Sequence, residues 1–172
     1  MSWNPTQYLK FAGERLRPAL DLLARISAAA PQCVVDLGCG TGNLAPLIAQ
    51  RWPQAGILGV DSSAEMLAKA RSDHPQVNFV QAEIATWRPN RPVDVIYSNA
   101  AMHWISDHDA VFPRLLSELS PGGWLAIQMP HNFDAPSHTC VIDTIDQELW
   151  RGKLEPQLRR PPVAAPHYYC LL

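Results

Sequence analysis

Val34-Val35-Asp36-Leu37-Gly38-Cys39-Gly40-Thr41-Gly42-Asn43 is the stretch on which the reading of this chain turns. Two branched apolar residues run into an acid, three glycines alternate with other residues, and a helical pattern follows. The pattern predicts a strand, a tight glycine-rich turn and a helix. Glycine takes positive φ without steric cost and lets a ligand lie against bare main chain. The turn also offers N–H groups at a helix start, where negative charge is favoured. Asp61 lies nineteen positions beyond Gly42, at the end of a second apolar run, Gly56-Ile57-Leu58-Gly59-Val60. Rossmann-type folds hold ribose hydroxyls with an acid about twenty residues past such a loop. Together these features imply a nucleoside-containing cofactor.

Spacing narrows the cofactor. Dinucleotide folds use G-x-G-x-x-G, which accommodates a pyrophosphate. Here the pattern is Asp36-x-Gly38-x-Gly40-x-Gly42, one residue shorter between the last two glycines and led by an acid. It resembles the first motif of class I methyltransferases that use S-adenosyl-L-methionine. That cofactor carries a sulfonium, an α-amino group and a carboxylate but no phosphate, so an acid beside the loop is useful. The alternative is a strand-turn-helix whose glycines serve close packing only.

The 172 residues suffice for one domain with a real core. The formal net charge of −2 argues against a partner held by phosphate neutralisation, so no nucleic-acid partner is expected. No apolar run approaches the roughly 18 residues of a membrane span, and no membrane partner is expected. Met1-Ser2-Trp3-Asn4-Pro5 lacks the basic and apolar regions of a signal peptide. Cys33, Cys39, Cys140 and Cys170 show no C-x-x-C spacing or metal-ligand rhythm. They read as reduced thiols of a cytoplasmic protein, with no metal site expected.

Along the chain, Asn4-Pro5 predicts a helix start, with Tyr8, Leu9 and Phe11 on a short helix. Pro18 opens a second helix with Ala19, Leu22, Leu23 and Ile26 on its buried face, and Pro31 ends it. Strands are expected at Cys33 to Leu37, Ile57 to Val60, Val77 to Val80, Val93 to Tyr97 and Trp124 to Met129. Between them lie helices with Leu44, Leu47 and Ile48, with Met66, Leu67 and Ala70, and with Val111, Leu115, Leu116 and Leu119. Ser62-Ser63-Ala64-Glu65 fits a capping box, and Pro121-Gly122-Gly123 stops the third of these helices. A last helix carries Val141, Ile142, Ile145 and Leu149. The alternation predicts an α/β, Rossmann-like parallel sheet in the order 3-2-1-4-5 with helices on both faces. One domain over 1–172 is expected: a helical cap over 1–30, a cofactor-binding core over 31–130, and a substrate-side helix and end over 131–172.

A sharper resemblance rests on Ser2-Trp3-Asn4-Pro5 with Tyr8 and Phe11, and on Glu14-Arg15-Leu16-Arg17-Pro18. Val60-Asp61-Ser62-Ser63, Ser98-Asn99-Ala100-Ala101-Met102-His103-Trp104, Gln128-Met129-Pro130 and His167-Tyr168-Tyr169 extend it. Nearly the whole chain is similar to the trans-aconitate 2-methyltransferase family. Two departures stand out. The family more often has Gln where this chain has His103. Class I enzymes usually end in an antiparallel hairpin of two further strands, for which no candidate is found. The chain therefore reads as a truncated form, with strand five at a sheet edge. Full-length relatives are expected to be monomers, with association through that edge in this chain.

The resemblance implies methyl transfer from S-adenosyl-L-methionine to a carboxylate of trans-aconitate, giving a monomethyl ester. A carboxylate is ionised at pH 7 and is already a nucleophile. The task is in-line positioning and exclusion of water, with no catalytic side chain. The alternatives are methylation of another small acid, or a remnant that binds cofactor only.

Asp36, Gly38, Cys39, Gly40 and Gly42 are expected around the methionine part of the cofactor. Asp61 with Ser62 is expected at the ribose and Asn99 at the carboxyl edge of the sheet, and the resemblance to class I enzymes implies Glu83 with Ile84 beside the adenine. Other readings are a helix-cap acid for Asp61, a surface acid for Glu83 and a turn residue for Asn99. A tricarboxylate substrate calls for cations and donors. Trp3, Arg15, His103, Trp104, His131 and Tyr168 are the candidates. Arg15 equally suits the cofactor's carboxylate or, like Arg17, a solvated helix face. The histidines also suit structural roles, and Trp104 suits core packing.

Overall fold

The computed structural model describes residues 12–157 and 162–172. Five strands form one parallel sheet: β1 (Cys33–Leu37), β2 (Gly56–Asp61), β3 (Asn78–Gln81), β4 (Val93–Asn99) and β5 (Leu119–Gln128). Their order is β3-β2-β1-β4-β5, as the alternation predicts. Register is set at the centre by Val34 opposite Ile57 and Val95, and by Asp36 opposite Gly59 and Tyr97. The helices are α1 (Ala12–Arg25), α2 (Ala45–Arg51), α3 (Ala64–Asp73), α4 (His108–Ser117), α5 (Pro136–Ile145) and α6 (Glu148–Leu154). Among the described residues, no helix is long and apolar enough to cross a membrane.

Because both faces of the sheet are covered, β1 is apolar on both sides rather than alternating. Val34, Val95, Tyr97 and Ala126 pack against Ala19 and Leu23 of α1, Ile26 just beyond it and Ile48 of α2. Val35, Leu37, Val60 and Ile96 point the other way, onto Val111, Phe112 and Leu115 of α4. Buried hydrogen bonds tie these layers together. Tyr97 Oη donates to Ala19 O at 2.8 Å, and Ser98 Oγ donates to Leu37 O at 2.7 Å. Arg114 on α4 donates to Trp87 O at 2.6 Å and Ile84 O at 2.8 Å, pinning the segment after β3.

Several local expectations are corrected. Pro18 does not open a helix: α1 runs through it from Ala12 to Arg25. Proline removes one helical bond, and the burial of Ala19 and Leu23, with Ile26 just past the helix end, holds the helix in spite of it. The cap of α3 is Ser63, whose side chain accepts from Met66 N–H at 3.3 Å, so the box at Ser62–Glu65 is out of register by one. Pro121-Gly122-Gly123 lies inside β5 rather than ahead of it, after α4 has ended at Ser117. It forms a bulge, the register stepping from Val93 opposite Leu119 to Val95 opposite Trp124. The last helix is two, since Gln147 is extended at φ −65°, ψ 135° between α5 and α6. The expected short helix with Tyr8, Leu9 and Phe11 lies outside the described residues.

Candidate functional site

A cavity of about 650 Å³ opens at the carboxyl ends of β1, β2 and β4. This is where open α/β sheets bind ligands. Most of the wall is strand tips and the turns that follow them, with Leu16 and Ala19 of α1 and Met66 of α3 closing it.

The first wall is the loop after β1. Gly38 N–H and Cys39 N–H both donate to Val60 O, at 2.7 and 3.0 Å, folding the loop back over β2. Gly38 has φ +81°, and a Cβ there would lie 2.2 Å from Ala101 Cβ. Only glycine satisfies both demands. Gly40 has φ +55°, and a Cβ there would meet nothing within 4 Å. Its bare main chain therefore lies beside open space on the cavity wall. Gly42 does not line the cavity; its α-carbon packs toward Phe79 and His74. The helix expected directly after the glycines begins later, at Ala45, and has only seven residues.

Asp36, at the end of β1, is 2% exposed, and its Oδ2 has no partner. Burial, reinforced by the charge of Asp61, raises its pKa to about 7. Asp61, at the tip of β2, lines the cavity with Ser62 and Ser63. Glu83 and Ile84 come from the turn after β3, and Asn99 from the tip of β4, with Oδ1 buried and unpartnered. Ala100 follows at φ 52°, a left-handed conformation that is uncommon for alanine and stores strain at the rim.

Trp104 and Ile105 complete the wall from the turn after β4. Trp104 is 61% exposed, so the core-packing alternative does not hold for it. Its neighbour His103 points inward, 8% exposed, with Nδ1 buried and unpartnered. Burial holds the His103 pKa below its usual value, so the ring is neutral at pH 7. Three carboxylates line the cavity, from Asp36, Asp61 and Glu83, and no cation does among the described residues.

The remaining candidates sit elsewhere. His131 is exposed in the segment after β5, away from the lining. Tyr168 is half-buried outside the cavity lining and donates to Asp109 Oδ1 on α4. Arg17 is 84% exposed beside Asp21, a solvated helix face. Trp3 lies outside the described residues. Arg15 lies on α1, one position before the cavity residue Leu16, and its side chain is outside the description. Sequence reasoning missed Leu16, Ala19, Thr41, Asn43, Leu44 and Met66 on the wall. Apolar residues carry no chemical signature by which to single them out. Thr41 and Asn43 sit inside the glycine motif, and that position was the available signal.

The sequence pattern described as a methyltransferase domain matches residues 8–162. The trans-aconitate 2-methyltransferase of Azoarcus sp. (strain BH72) is 51% identical over 99% of this chain and 67% of its own length. That of Yersinia pestis (strain Pestoides F) is 44% identical with the same coverage. The chain thus spans about two thirds of the length of these curated relatives. A solved S-adenosylmethionine-dependent methyltransferase from Mesorhizobium loti superposes with a TM-score of 0.60 at 30% identity, over 69% of this chain and 55% of that one. Streptomyces venezuelae DesVI shares the fold, with a TM-score of 0.63 at 18% identity over 76% of this chain and 59% of that one. A parallel 3-2-1-4-5 sheet, a glycine loop over a carboxylate-lined cavity and relatives at these identities place the chain in the trans-aconitate 2-methyltransferase family of S-adenosylmethionine-dependent methyltransferases.

Proposed function

We propose that this chain catalyses methyl transfer from S-adenosylmethionine to a carboxylate of trans-aconitate, yielding a monomethyl ester. The names of its relatives support the reaction. The observation that carries the cofactor is the charge of the cavity wall: Asp36, Asp61 and Glu83 with no described cation. Such a wall repels phosphate and suits a ligand bearing a sulfonium and an ammonium. When bound, that cofactor supplies an electrophilic methyl group on positive sulfur.

The chain's own residues divide the work. Asp36 Oδ2 and Asn99 Oδ1 are buried acceptors without donors, and their isolation costs free energy until a donor arrives. They are the proposed partners of the cofactor's ammonium side. Gly40 leaves room for it against main chain beside Gly38 and Cys39, while Gly42 holds the loop in shape from behind. Asp61 and Ser62 take the ribose, and Glu83 with Ile84 flanks the adenine.

The wall carboxylates of Asp36, Asp61 and Glu83 are assigned to the cofactor, and the transfer itself needs no group to remove a proton. The substrate's carboxyl groups are ionised at neutral pH. Trp104 shields the reacting end from water, and alignment lowers the barrier. Neutral, inward-facing His103 brings no charge to a tricarboxylate. Arg15, next to the wall residue Leu16, is the proposed carboxylate partner. A reducing, cytoplasmic setting is supported by four free cysteines.

Calorimetric titration with S-adenosylmethionine, followed by methyl-ester detection over a panel of tri- and dicarboxylates, tests the reading. Saturable cofactor binding and preferred turnover of trans-aconitate are expected. Absent binding overturns the cofactor, and a different preferred acid overturns the substrate.

A further inference from the structure

Tyr168 and Tyr169, consecutive in the Pro166–Cys170 turn, grip consecutive residues at the start of α4. Tyr168 reaches Asp109, and Tyr169 reaches His108. The Tyr169 ring also stacks on Phe112, with centroids 4.8 Å apart and planes at 28°.

His108 is 5% exposed, and both its ring nitrogens are engaged. Nε2 lies 2.9 Å from Met102 O, and Nδ1 lies 2.8 Å from Tyr169 Oη. A carbonyl oxygen cannot donate, so Nε2 carries the proton and Nδ1 accepts from the tyrosine hydroxyl. Tyr169 Oη in turn accepts from Ala164 N–H at 3.0 Å. The result is one directed line: Ala164 N–H to Tyr169, Tyr169 O–H to His108, His108 N–H to Met102 O.

Met102 O is also the acceptor for Ile105 N–H at 3.0 Å, the bond that closes the Met102–Trp104 turn. Trp104 and Ile105 form the cavity wall beyond it. We propose that His108 is a positioning residue through which the Pro166–Cys170 segment sets the Trp104 side of the cavity. Its effect on turnover rests on the reaction proposed above; its effect on Trp104 does not.

Three variants separate the links. Tyr169→Phe keeps the stacked ring and deletes one hydroxyl. His108→Gln keeps a donor in reach of Met102 O and loses the ring acceptor that faces Tyr169. His108→Asn keeps an acceptor near Tyr169 and loses the donor to Met102 O. Acrylamide quenching of Trp104 is read as the difference between each variant and the same variant carrying Trp104→Phe. All three variants are expected to raise Trp104 quenching with the chain still folded. In turnover, KM for the acid rises about three- to tenfold, the worth of one buried hydrogen bond, while cofactor affinity stays near the parent's. If His108→Gln restores parental quenching and KM, the histidine merely pins the turn and the relay is overturned. Unchanged quenching in folded Tyr169→Phe overturns it as well. A parent chain that forms no ester refutes the reaction alone, because the quenching comparison still decides the relay.

Discussion

Gly40 N–H donates to Asp61 Oδ2 at 2.8 Å, so the glycine loop after β1 is clamped to the acid at the tip of β2. The other oxygen, Oδ1, accepts from Ser63 N–H, also at 2.8 Å, at the start of α3. One carboxylate therefore joins three segments of the cavity wall. An ionised carboxylate has about four acceptor sites, so two remain after these bonds.

Asp61→Ala is accordingly expected to do two things at once. It removes the proposed ribose partner, costing about 1–3 kcal/mol of S-adenosylmethionine affinity by calorimetry. It also frees two main-chain donors, lowering the thermal midpoint. Asp61→Asn presents an amide N–H to one of those donors and is expected to lose stability as well. A full affinity loss with an unmoved midpoint in both variants would show that the clamp is idle.

Asp36 carries the pH dependence. Its carboxyl is raised by burial and by Asp61 from 3.8 to about 7. Between those values the folded chain holds a proton that the unfolded chain has lost. Stability of the ligand-free chain therefore falls as pH rises through this window, and Asp36→Asn flattens that slope. A cationic ligand favours ionised Asp36, so S-adenosylmethionine affinity should rise as pH climbs toward about 7 and level off above it. Chemical denaturation and calorimetry at several pH values, on parent and Asp36→Asn, check both slopes. Parallel profiles in the two proteins would remove Asp36 from the titration.

The two loop glycines are expected to fail differently. Gly38→Ala places a methyl 2.2 Å from Ala101 Cβ at φ +81°, where no neighbour is free to yield. A stability loss of about 2–4 kcal/mol in urea denaturation is expected, with cofactor affinity hard to measure. Gly40→Ala meets nothing within 4 Å, so only its φ of +55° costs stability, about 1–2 kcal/mol. Gly40 lines the cavity, so the larger effect of this substitution should be on cofactor affinity. Equal effects from both substitutions would contradict these placements.

The sheet and much of the cavity were legible in the chain because their signals are local. Val34-Val35 running into Asp36 and the glycines marks a strand and its turn, and apolar runs mark the other strands. Element ends were less legible. Ser62 and Ser63 offer the same hydroxyl to α3, and only the path of the chain out of Asp61 selects Ser63. Pro121-Gly122-Gly123 signals a stop in any local reading. Pairing with β4 makes it a bulge within β5.

Motif spacing by itself picked out Asp36, the glycines and Asp61 as candidates for a cationic nucleoside cofactor, and the strand pattern with the class I resemblance added Asn99 and Glu83. What each of them touches depended on contacts between residues far apart in sequence. Tertiary packing left Asp36 Oδ2 and Asn99 Oδ1 without partners, turned His103 inward and neutral, and exposed Trp104. It also carried His131 and Tyr168 away from the cavity lining and joined Tyr169 to Met102 through His108. No spacing rule encodes such placements, because they are set where β1, β4, α4 and the last turn meet, and burial and hydrogen-bond satisfaction there are decided jointly.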